Sequence, residues 1–107
     1  MNEINILKLA EDENNRLILR NNLYYIRTYL GLTEKELGKM TGMTRQTISS
    51  YESKRWTIKK KVYISLLGVI LSFVDSNIEL YDKKLIYKML TKEITFMETV
   101  YNFDFED

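Results

Sequence analysis

Residues 30–52 read LGLTEKELGKMTGMTRQTISSYE, and no other stretch leaves the chain so little freedom in how it folds. Thr33 and Thr44 each precede a short helical segment, where a threonine hydroxyl accepts a free backbone N–H of the first turn. Thr33 followed three residues later by Glu36 also has the spacing of a capping box, in which side chain and backbone satisfy each other reciprocally. Leu32 and Leu37 supply apolar anchors for the first segment, and Ile48 and Tyr51 for the second. Gly42 marks a turn between them. The spacing predicts two short helices, about 34–41 and 45–53, with one free to brace and the other to present side chains.

The rest of the chain is read around that pair. At 107 residues it is long enough for one domain with a core. Proline is absent and glycine is limited to four, so no linker or low-complexity tract divides it. With neither cysteine nor histidine there can be no disulfide, and no histidine- or thiolate-bound zinc or imidazole base. The expectation is a non-enzyme with no catalytic residues, no metal and no cofactor. The start, MNEINILKLAEDE, lacks the pattern of a signal peptide, and a cytoplasmic location is expected. Residues 62–74, VYISLLGVILSFV, form the longest apolar run. It falls short of the roughly 20 residues that span a bilayer, so it predicts a buried core helix that needs cover on more than one side.

The pattern gives an all-α chain of five or six helices with no strand. A short helix or arm is expected over about 4–13, and Asn14 or Asn15 is a candidate cap for a segment carrying Leu17. A helix with Leu23, Ile26 and Leu30 on one face ends at Gly31, and another is expected over about 59–74. A last amphipathic helix over about 79–101 carries Leu85, Ile86, Met89, Leu90, Ile94 and Met97 at helical spacing. The acidic, aromatic end NFDFED is expected to fray. The last helix is expected to pack on the apolar run, within the chain or across a dimer.

The joint spacing of Gly31-Leu32-Thr33, Glu36-Leu37-Gly38, Gly42 to Ser49 and Tyr51-Glu52 resembles the Cro/CI-like (XRE-type) helix-turn-helix proteins, over about residues 22–71. The resemblance implies a lambda-repressor-like helical bundle, starting its first helix near Asn22, with residues 1–74 as the DNA-binding domain. Residues 75–107 would then be an added helix for packing or dimerisation. It implies double-stranded DNA as the partner, bound as a two-fold homodimer, with no membrane role. The second helix would enter the major groove, placing Arg45, Gln46, Thr47, Ser49 and Ser50 at base edges. Arginine can bind guanine O6 and N7, and glutamine adenine N6 and N7.

Charge by segment agrees with that reading. Residues 1–40 hold six acids and six bases. Residues 41–74 hold one acid, Glu52, against six bases, or +5, and residues 75–107 hold eight acids against four bases, or −4. Thr44, Lys54, Arg55, Lys59, Lys60 and Lys61 are the candidate phosphate contacts. Trp56, among them, is expected to plug the junction with the next helix rather than lie on a sugar-phosphate edge. Ile48 and Tyr51 are expected in the core.

The resemblance further implies an Arg27–Glu52 salt bridge and a small residue at position 38, usually alanine, where the two helices cross. This chain departs from the pattern twice. Relatives begin the first of the two helices with a phosphate-touching glutamine, where this chain has Glu34, which instead could hold Arg45 across the turn. Lys54 stands where many relatives have glycine. The function expected is a sequence-specific transcriptional regulator, a repressor. The alternative is an antitoxin or other interaction module whose acidic end binds a partner protein.

Overall fold

The computed structural model describes residues 5–91. Within them are six helices: α1 (Ile6–Ala10), α2 (Glu13–Tyr29), α3 (Glu34–Thr41), α4 (Arg45–Glu52), α5 (Lys60–Ser76) and α6 (Lys83–Thr91). No strand occurs among the described residues.

Most of the helix starts follow from one side chain each. Asn5 accepts from the Lys8 N–H at the start of α1, Asp12 from the Asn14 N–H at α2, and Thr44 from the Thr47 N–H at α4. At α3 the full capping box closes: the Glu36 N–H donates to Thr33 Oγ1 at 3.0 Å, and the Thr33 N–H to Glu36 Oε1 at 2.8 Å. Gly31 and Gly42 end α2 and α3 with φ of 75° and 76°, a left-handed geometry that only glycine adopts without a steric penalty.

Three expectations are corrected. The helix expected near Asn22 begins nine residues earlier at Glu13, because Asp12 breaks α1 and caps α2. Ile18 and Leu19 thus extend the buried stripe of Leu23, Ile26 and Leu30 by about one turn.

The last helix begins at Lys83 rather than near residue 79. The Asp82 carboxylate accepts the Lys84 N–H at 2.9 Å, while the Asp82 N–H donates to the Tyr29 hydroxyl and Tyr81 Oη donates to the Leu30 carbonyl, each at 2.8 Å. This fixes the approach to α6 against the end of α2. Residues 92–101 of the expected helix, with Ile94 and Met97, and the NFDFED end lie outside the described residues.

The third correction concerns packing, since α6 lies along α2 and not along α5. Leu85, Ile86, Met89 and Leu90 are buried there, and Asn22, itself fully buried, donates from Nδ2 to the Met89 carbonyl at 2.7 Å. The apolar helix α5 gets its cover from α1, α3 and α2 instead. Its buried face is Tyr63, Leu66, Leu67, Ile70 and Val74, with Val62, Ile64, Val69, Leu71 and Phe73 half-buried around it. Fully burying each large apolar side chain stabilises the fold by roughly 1.5–3 kcal/mol. One continuous core joins Ala10 on α1 to Leu90 on α6. No helix among the described residues is long and apolar enough to cross a membrane.

Candidate nucleic-acid interface

Helix α4 rests on the core through Ile48 and Tyr51, both buried as expected. That anchoring turns Arg45, Gln46 and Ser49 outward. The crossing of α3 on the turn into α4 is tight: a Cβ at Gly38 would lie 2.6 Å from the Met43 carbonyl oxygen. Since that neighbour is backbone, a larger residue would have to shift the turn that aims α4.

A second device fixes α4 to α2. Arg27 Nε donates to Glu52 Oε2 at 2.5 Å and Nη2 to Oε1 at 3.0 Å, while Nη1 donates to the Leu32 carbonyl at 2.8 Å. This is the expected pair, bidentate, with side chains only 11% and 7% exposed. It joins the end of α2, the loop before α3 and the end of α4. The hydrogen bond to Glu52 holds the Arg27 guanidinium above its ordinary value. Burial pushes the Glu52 carboxyl up, Arg27 pulls it back down, and the neighbouring carboxyl of Glu34 adds to the rise.

All five candidate base-reading residues, Arg45, Gln46, Thr47, Ser49 and Ser50, line one open groove together with Thr44, Arg55 and Trp56. Arg45 and Gln46 are exposed; Thr47, Ser49 and Ser50 are half-buried. The Thr47 hydroxyl stands 2.9 Å from that of Thr44, so any contact it makes to DNA is shared with the helix cap. Glu34 carries an ion pair to Arg45, Oε1 to Nη1 at 3.7 Å.

The candidate phosphate contacts separate into groups. Thr44 and Arg55 belong to the groove itself. Lys59 and Lys61 border an adjoining hollow that shares Arg55 and Trp56 with it. Lys54 is exposed and takes the left-handed backbone directly, with φ of 64°. Lys60 differs from the others in being ion-paired, its Nζ 2.9 Å from Glu11 at the end of α1.

Trp56 is not the plug that the sequence suggested. It is 48% exposed, while Ile58 fills the core next to α5. Its ring meets Tyr51 edge-on at 5.7 Å, which places it on the rim of both hollows. An aromatic inside a run of five cations was the signal for this in the sequence, outweighed there by the general tendency of tryptophan to be buried.

Residues 23–66, from the middle of α2 into α5, match a family model described as helix-turn-helix. The comparison with curated proteins and the comparison with solved structures gave no match. Every candidate contact residue, from Thr44 to Lys61, falls inside the matched segment, whose two central helices are the threonine-capped pair on the glycine turn. Over residues 23–66 the chain is thus similar to the helix-turn-helix domains of the Cro/CI (XRE) type.

Proposed function

We propose that this protein is a sequence-specific transcriptional regulator, acting in the cytoplasm as a repressor that occludes a promoter. The observation that carries the reading is the gathering of Arg45, Gln46, Thr47, Ser49 and Ser50 on one groove, edged by Arg55. Arg45 and Gln46 are the residues assigned to guanine and adenine, and Thr47, Ser49 and Ser50 contribute short hydroxyl contacts. Thr44, Lys54, Arg55, Lys59 and Lys61 serve the flanking phosphates, which position the helix without reading sequence. Lys60 joins them only by giving up Glu11.

The functional unit is a homodimer with recognition helices one DNA turn apart, about 34 Å. Removing residues 76–107 is not a clean test of it, because the cut strips α6 from α2 and opens the core. Sedimentation of the intact chain is the direct test, and a monomer at tens of micromolar contradicts the dimer. The partner-protein alternative rests on the acidic balance of residues 75–107 alone.

Mobility shifts on the DNA upstream of the chain's own gene test the reading. Wild type should form a specific complex, and Arg45→Ala and Gln46→Ala should each weaken it by about 1–3 kcal/mol, leaving salt-sensitive non-specific binding. Equal binding by all three proteins contradicts the assignment of α4.

A further inference from the structure

We infer that residues 101–107, YNFDFED, dock in the cationic hollow beside α4 of the same chain and compete there with DNA. The competition rests on the phosphate role proposed for Arg55, Lys59 and Lys61; the docking does not.

The hollow that adjoins the α4 groove, about 580 Å³, carries two kinds of surface. Tyr51, Trp56 and Val62 give it an apolar lining, and Arg55, Lys59 and Lys61 a cationic one. Among the described residues none of those three cations has an ion pair. A phosphate satisfies the cations only, and leaves the half-exposed Trp56 ring uncovered. A segment that interleaves carboxylates with aromatic rings satisfies both, through charge and through edge or offset ring packing.

Residues 101–107 have that composition. Tyr101, Phe103 and Phe105 interleave with Asp104 and Glu106, and Asp107 follows, with no base among them. Residues 92–107 together hold five acids and one base, or −4, against +5 for residues 41–74.

The described fold brings α6 to the correct side. It runs antiparallel to α2: the Asp82 N–H meets the Tyr29 hydroxyl, and further on the Met89 carbonyl meets Asn22. At Thr91 the helix therefore faces the start of α2, where Arg16 and Leu17 share another hollow with Lys59 and Lys61. From Asn22 to Leu17 is about 8 Å along the α2 axis. The chain from Thr91 to Tyr101 spans up to about 35 Å, enough to cover that distance and the width of a helix, about 10 Å. A tether this short sets an effective concentration near millimolar, so even a weak site fills. Affinity for DNA then falls in proportion to the open fraction.

Trp56 is the only tryptophan and lines the hollow, so acrylamide quenching of its fluorescence reads the docking with no DNA present. The test compares three full-length proteins, with circular dichroism to show that each stays helical. They are wild type, Phe103→Ser with Phe105→Ser, and Asp104→Asn with Glu106→Gln and Asp107→Asn. Both variants should leave Trp56 more open to quencher than in wild type. Both should bind a scrambled duplex about threefold to tenfold more tightly at low salt. The serine variant is the sharper of the two, because it keeps every charge and so leaves simple repulsion of DNA unchanged.

Equal quenching of Trp56 in all three proteins overturns the docking. Protection that disappears on dilution makes a second copy the occupant and overturns docking within one chain. Tighter DNA binding by the charge variant alone shows plain repulsion, and overturns the competition. So does altered quenching with unchanged affinity for DNA. A wild-type protein without sequence preference contradicts the DNA-reading role, and leaves the quenching result to decide the docking by itself.

Discussion

Lys54 keeps a left-handed backbone, φ 64°, at a position where glycine would adopt it freely. For a side chain with a Cβ, that conformation costs about 1–2 kcal/mol. Lys54→Gly should therefore raise thermal stability by about 1 kcal/mol, while removing one cation from the phosphate-facing loop and flattening the salt dependence of DNA binding. Melting and salt titration of one variant check both effects; a loss of stability would mean that the lysine side chain holds the loop. The resemblance pointed to this strain, since Lys54 stands where many relatives have glycine. The burial of Asn22 was not legible, and the exposure of Trp56 was signalled only by the cations around it. The exposure of Trp56 depends on Ile58, two residues on, filling the core in its place, and the burial of Asn22 on the remote helix α6.

At the scale of the helices, the Arg27–Glu52 pair decides how rigidly α4 is held. A buried pair is worth little against a well-packed apolar one, but breaking it leaves a bare charge in the core. Glu52→Ala should cost about 3–5 kcal/mol, and the joint change Arg27→Met with Glu52→Leu should recover most of that loss. Chemical denaturation of the three proteins measures it; equal losses in the single and double variants would show that the pair acts through something other than its charge.

The pair also sets a pH dependence. The Glu52 carboxyl is raised in the folded chain above its ordinary value of 4.5, so the folded state holds that proton more tightly than the unfolded chain does. Its ionisation therefore costs stability as pH rises from 4.5 through the raised value. The joint variant should lack that decline.

The capped helices α3 and α4 were legible in full because threonine, glutamate and glycine fix their ends locally. The start of α2 was missed because the resemblance begins in mid-helix, whereas Asp12 sets the true boundary. The partner of α6 was missed for a different reason. An amphipathic stripe says that a face is covered, and Asn22 with the Tyr29–Tyr81 corner says by what.

Over the whole molecule, a formal charge of +1 conceals a basic central segment between a neutral start and an acidic end. The fold exposes that segment around α4 and the loop that follows it. With five cations available, of which Lys60 is paired with Glu11, binding should weaken by orders of magnitude between about 50 and 200 mM salt.

Selection of bound duplexes from a random-sequence pool, run in parallel with wild type and Arg45→Ala, tests the reading of α4 most directly. The wild-type chain should enrich one motif with a defined guanine, and Arg45→Ala should lose preference at that guanine while keeping the rest. No enrichment by wild type, or an identical motif from both proteins, would contradict the assignment of α4 as the helix that reads DNA.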